Sequence, residues 1–98
     1  MKTPTIAVQE AAEMLAIQAL AFLAEEPARL NGFLSTTGLE LGGLRAAARE
    51  PRFLAGVLDH MLSDESLLVA FAEGAGIDPA GIEKARRALG GHWERDLP

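Results

Sequence analysis

Between Met14 and Ala24 only Gln18 is polar. At 100° per residue, Met14, Leu15, Ile17, Leu20, Phe22 and Leu23 point all round a helix axis. A helix of that kind is stable in water only when most of its sides are covered. The rest of a 98-residue chain has to supply the cover, which commits it to wrapping further elements around this one. No segment alternates with period two and none is a β-branched run, so those elements are not strands.

Helix start and stop signals supply the rest. Thr3-Pro4 reads as an N-cap followed by proline at the first helical position, opening a helix that runs to about Glu25. Pro27 opens a second, short helix with Leu30, Phe33 and Leu34 on one face, and Gly38 stands where a left-handed C-terminal residue is wanted. A third covers roughly Leu41 to Ala48, weakened by Gly42 and Gly43. Glu50-Pro51 opens a fourth, in which Phe53, Leu54, Val57, Leu58, Met61 and Leu62 follow amphipathic spacing. Ser63 and Asp64 cap a fifth containing Leu67, Leu68, Val69 and Phe71, with Gly76 beyond its end. Asp78-Pro79 starts a sixth, and Gly90-Gly91 is expected to end it. His92 to Pro98 then reads as a polar tail in which only Trp93 offers a large apolar surface.

Composition narrows the function. At 49% hydrophobic and 23% charged residues, the chain is too apolar to be disordered. The net charge is −5, with four basic and five acidic residues in 1–49 and five basic and nine acidic in 50–98. Such a domain repels phosphate backbones unless its cations cluster. With no cysteine there is no disulfide and no thiolate metal site. The N-terminus does not read as a secretory signal, because Gln9, Glu10 and Glu13 interrupt its apolar stretch. No apolar run approaches the roughly 20 residues of a membrane span, so a cytoplasmic protein is expected.

The chain also matches itself at an offset of 38 residues. Leu20 meets Leu58, Leu30 meets Leu68, Phe33 meets Phe71, Gly38 meets Gly76, Gly43 meets Gly81 and Ala47 meets Ala85. Leu23 with Met61, Leu39 with Ile77 and Leu44 with Ile82 are conservative pairs. Duplication produces such a pattern, and so does convergence of helix–glycine–helix units on the same caps. Under the first alternative the helices near 15–24, 28–36 and 41–48 superpose on those near 53–62, 64–74 and 79–89. Phe33 and Phe71 are then equivalent core residues.

Few residues point to chemistry. Ala72, Gly76 and Ile82 have helix-turn-helix spacing, repeated by Leu34, Gly38 and Leu44. A DNA reader would present the helix from Pro79 to Leu89, but Asp78 and Glu83 lie where bases would be, and nucleic acid is not the expected partner. His60 precedes Asp64 by four residues, with Asp59 and Glu65 adjacent, yet structural zinc wants four ligands and the only other histidine is His92. Ser35, Thr36 and Thr37 sit where hydroxyls satisfy the last carbonyls of a helix, and Ser63 and Ser66 where they cap one. Gly42-Gly43 lacks the lysine and the preceding strand of a phosphate loop. Arg45, Arg49 and Arg52 are interrupted by Glu50 and read as a solvated face. No catalytic residue, cofactor or metal ligand is assigned.

The run from Leu58 through Asp64-Glu65, Leu67-Leu68, Ala70-Phe71, Gly76, Asp78-Pro79 and Ala85 to Leu89-Gly90 resembles a domain-of-unknown-function family of small bacterial proteins. The upstream segment is similar to the rest of that family, with Ala19-Leu20, Phe22-Leu23, Pro27, Phe33-Leu34, Gly38-Leu39, Leu44-Arg45, Ala47 and Phe53-Leu54. The resemblance spans roughly residues 10 to 91. It implies an all-helical cytoplasmic bacterial protein, and it carries over no activity and no site residue.

The expected fold is an all-α compact bundle of about six short helices, with two pseudo-symmetric three-helix halves if the repeat is structural. Residues 1–91 form the domain and 92–98 a loosely ordered tail. The expected function is a non-catalytic interaction or adaptor role, with itself or another protein as partner. The alternative is a helix-turn-helix DNA-binding or transcription-associated module. Two apolar stretches cannot both be central in so small a domain, so surplus apolar surface is expected at Ile17 or along Leu67, Leu68 and Val69.

Overall fold

The computed structural model describes residues 5–95, and the side chains of residues 8–40 and 42–89. Six helices occupy them: α1 (Thr5–Ala24), α2 (Pro27–Thr37), α3 (Leu44–Ala47), α4 (Pro51–Leu62), α5 (Glu65–Ala75) and α6 (Pro79–Arg95), with a 3-10 turn at Leu41–Gly43 before α3. There is no strand among the described residues. The Thr3-Pro4 cap lies outside them.

Prolines and glycines set the element boundaries as the chain's chemistry requires. Pro27 and Pro51 each occupy the start of a helix, where the missing N–H costs nothing. Gly38 and Gly76 end α2 and α5 with φ of 74° and 70°. A side chain is strained in that left-handed region, so glycine is required there. Asp64 caps α5, its Oδ1 accepting a hydrogen bond from Leu67 N at 3.2 Å. Ser63 does not share that role: its hydroxyl donates back to the His60 carbonyl at 2.8 Å, closing α4. Thr36 and Thr37 donate likewise to the carbonyls of Gly32 and Leu34.

The core is a triad of α1, α4 and α6, each packed on the other two. On α1 the buried face is Ala12, Ala16, Ala19, Leu20 and Leu23. Three alanines in that face let α4 and α6 approach closely. Opposite them α4 supplies the bulk with Leu54, Val57, Leu58 and Met61, and α6 contributes Ile82 and Leu89. The short helices are fastened by aromatic rings. From α2, Phe33 meets Phe53 with centroids 5.7 Å apart and the His60 ring at 5.1 Å, both edge-on. From α5, Phe71 meets Phe22 at 5.4 Å.

Two sequence expectations need correcting. The third helix is a four-residue helix behind a 3-10 turn, because Gly42 and Gly43 occupy its first turn and gain least from helical order. The domain end placed at residue 91 is not a helix end: α6 continues through Gly90-Gly91 to Arg95. Each glycine costs a helix about 1 kcal/mol relative to alanine, which weakens the helix without forbidding it. Residues 92–95 of the expected loose tail are thus helical, and 96–98 lie outside the described residues.

The 38-residue match is visible in burial. Ala16 and Leu54, Ala19 and Val57, Leu20 and Leu58, Leu23 and Met61, and Phe33 and Phe71 are all buried pairs. The halves nevertheless differ in their third element, four residues in α3 against seventeen in α6. Their glycine caps share one bond and differ in another: Gly38 N donates to the Leu34 carbonyl and Gly76 N to the equivalent Ala72 carbonyl, while after Gly76 the Ile77 N–H also reaches back to the Ala72 carbonyl at 2.9 Å.

Truncating Phe33, fully buried, or Phe71, 3% exposed, to alanine is expected to lower stability by roughly 3–5 kcal/mol each. Ala19→Leu is expected to cost about 1–3 kcal/mol by overfilling the close contact of α1 with the core. Urea unfolding of the three variants measures both effects, and a loss below about 1 kcal/mol at any site would contradict the packing described.

Candidate functional site

Helix α1 buries Ala12, Ala16, Ala19, Leu20 and Leu23 and leaves two large apolar side chains outside. Met14 is 63% exposed and Ile17 47%, with Ala21 and Ala24 exposed along the same side. Their positions, 14, 17, 21 and 24, follow the 3-4 spacing of a helix seam, and Glu10 extends it by four residues toward the N-terminus. Val8, 47% exposed, lies about 160° round the helix from Glu10 and is not part of this face. Single exposed apolar residues are ordinary on protein surfaces. A row of them on one helical face is the arrangement that marks contact surfaces.

The second candidate stretch divides. Leu67, expected in the surplus apolar surface, is instead 9% exposed and part of the core. Leu68 is half-buried against the core, and only Val69 is exposed, at 40%. Consecutive helical residues are 100° apart, so three in a row cannot share one face, and the packing of α5 takes the first of them. Nor do Ile17 and Val69 form one patch. The ring contact joining α1 to α5 is Phe22–Phe71. Ile17 lies about 140° round α1 from Phe22, and Val69 about 160° round α5 from Phe71, so both point away from that junction.

A cleft of about 380 Å³ opens where α2, α4 and α5 meet, lined by Ala28, Arg29, Gly32, His60, Asp64, Ser66 and Leu67. It brings His60 and Asp64 to one wall, the pair whose spacing suggested a metal. Three of its polar side chains make structural contacts. Asp64 caps α5, the His60 ring stands edge-on to Phe33, and the Arg29 guanidinium lies 4.6 Å over the Phe22 ring. Arg29 Nε is also 3.8 Å from Glu26 Oε1. Among the described residues no group of three or more His, Asp or Glu side chains is placed to hold a metal ion.

The helix-turn-helix positions are well formed in α5–α6: Ala72 is 2% exposed, Ile82 is fully buried, and Gly76 carries the left-handed turn between them. The outward face of α6 holds Ala80, Glu83, Lys84 and Arg87. Arg86 is committed elsewhere, its Nε donating to Asp59 Oδ1 at 2.6 Å. Asp78 faces the start of α6 and accepts from Ala80 N at 2.9 Å. Two cations beside Glu83 make a mixed face, not a basic one. Arg45, Arg49 and Arg52 are all exposed, as is Glu50 between them.

Sequence reasoning singled out Ile17 and missed Met14, the more exposed of the two. The signal was present in the spacing of Met14, Ile17, Ala21 and Ala24. It was obscured because α1 is apolar on every side from Met14 to Ala24, so polarity does not separate its faces.

The fold and this surface define a small all-helical domain whose most prominent feature is an unpartnered helix face. The family model described as a protein of unknown function, DUF3572, matches residues 9–92, and the chain belongs to that family. No curated protein and no solved structure matches the chain. No described helix is long and apolar enough to cross a membrane.

Asp64 organises the wall of the cleft by starting α5. Asp64→Ala is expected to cost about 1 kcal/mol through loss of the cap, measured by thermal or urea unfolding. An unchanged stability would show that the bond to Leu67 N contributes nothing.

Proposed function

We propose that the protein is a non-catalytic interaction module, working in the cytoplasm of a bacterial cell, and that the Met14–Ile17 face of α1 is its binding surface. The exposure of these two large side chains carries the reading. Three alanines with Leu20 and Leu23 fill the buried side of the same helix and support the close α1–α4–α6 contact. The exposed side is left with apolar surface that no other side chain among the described residues covers. A second copy or another protein gains by covering it, at about 25 cal/mol per Å² removed from water.

A second reading, a helix-turn-helix module, is favoured by the burial of Ala72 and Ile82 around Gly76. The mixed charge of α6 weighs against it. A salt titration against duplex DNA separates the two, because phosphate contact loses affinity steeply as salt rises.

Ile17→Glu is expected to leave helicity unchanged and to shift stability by no more than about 0.5 kcal/mol, as for a surface site. The same variant should abolish the association seen for the wild type, measured as mass by light scattering and as recovery of a co-purifying protein from the native cell. A stability loss above about 2 kcal/mol would place Ile17 in the core. Retained association would rule out the α1 face.

A further inference from the structure

The α1 face carries charge of one sign. Helix α1 contains no lysine or arginine. Round the seam of Met14, Ile17, Ala21 and Ala24 stand Glu10 in line with it, Glu13 on one flank and Glu25 on the other, with Gln18 the remaining flanking polar group. Glu10 and Glu25 are exposed and make no ion pair among the described residues. Helix stability does not explain Glu25, since a carboxylate at the C-terminal end of a helix opposes the macrodipole. Glu26, by contrast, serves the start of α2 and pairs with Arg29.

These positions decide between occupants. Two copies of α1 packed antiparallel about Ile17 would bring Glu10 of one copy beside Ala24 and Glu25 of the other, at both ends of the contact. Packed parallel, each glutamate would meet its own equivalent. Either arrangement sets like charges at close range around a short seam. The seam from Met14 to Ala24 is about 15 Å of one helix, too short by itself to supply the roughly 800 Å² per partner of a stable dimer interface. An anionic membrane surface is repelled for the same reason, because interfacial helices flank their apolar face with lysine and arginine.

We propose that the α1 face binds an amphipathic helix of another protein, one whose apolar stripe repeats at 3-4 spacing and is flanked by lysine or arginine. The apolar stripe covers Met14 and Ile17, and the cations of the partner meet Glu10, Glu13 and Glu25. The contact is then weak without its charges and salt-sensitive with them. This rests on the reading of α1 as a binding surface and adds the chemistry of what it binds.

Two synthetic helical peptides with an identical leucine stripe test it, one flanked by lysines and one by glutamates, titrated into the full chain with fluorescence anisotropy as readout. The lysine-flanked peptide is expected to bind about ten-fold tighter or more, with the preference shrinking as salt rises. The M14E/I17E variant is expected to lose that binding. A Glu10→Lys, Glu13→Lys, Glu25→Lys variant is expected to reverse the preference, and circular dichroism checks that both variants keep the helicity of the wild type. Equal affinity for the two peptides, or a charge-reversed variant that still prefers the lysine peptide, overturns the proposal. Sedimentation of the wild type separates the two failures. If it is a dimer that Ile17→Glu dissociates, α1 remains a binding surface and its occupant is a second copy, so only the present inference falls. If it is a monomer and neither peptide binds, the binding surface falls as well.

Discussion

The close contact of Ala12, Ala16 and Ala19 with the rest of the core is the constraint on which the molecule depends. A helix presenting alanine brings neighbouring backbones near, so that Leu54, Val57, Leu58 and Met61 of α4 and Ile82 and Leu89 of α6 fill the space beside it. Interiors are packed to crystal-like density, so a face of three alanines with Leu20 and Leu23 leaves no room for further large side chains of α1. The remaining large residues stand on its flanks and its outer side. Phe22 reaches Phe71 from one flank, and Met14 and Ile17 reach solvent. The packing that stabilises the fold is thus the cause of the apolar face it exposes.

The remaining helices are held to that triad at few points. Phe33 anchors α2 against Phe53 and His60, and Phe71 anchors α5 against Phe22. Arg29 ties α2 to α1 through the Phe22 ring, and Arg86 ties α6 to α4 through Asp59. With Asp64 occupied as a cap, the cleft between α2, α4 and α5 is a place where helix ends meet. Glu10 and Glu25 are exposed and make no ion pair among the described residues, while Glu13 is half-buried and accepts a hydrogen bond from Gln9 Nε2 at 3.3 Å.

Much of the fold was legible because its boundaries are chemical. Proline at the start of α2 and α4, and glycine at positive φ after α2 and α5, act through backbone geometry that does not wait for tertiary contacts. The matched burial of Phe33 and Phe71 was legible for a related reason, since large rings seldom find a stable place outside a core. Where a local rule was weak the reading went wrong. Glycine pairs signal both a helix that fails early and a helix that stops, and the two pairs behaved differently. Gly42-Gly43 sits at the start of a segment with little else to hold it, whereas Gly90-Gly91 follows a long helix already nucleated and docked.

By itself the sequence determined that the chain is helical, where most of its helices begin, and that some apolar surface is left over, because periodicity, caps and composition are local or additive. It did not determine which side of α1 would be spare. Every side of that helix is apolar, so hydrophobicity alone gives no preferred orientation. The choice was made by the shapes of α4 and α6, against which an alanine face fits and a Met14–Ile17 face does not. The same tertiary choice buried Leu67 and left Val69 outside, although the two are nearly equal in hydrophobicity. Orientation within a core is decided by volume and distance between elements, and a linear sequence carries neither.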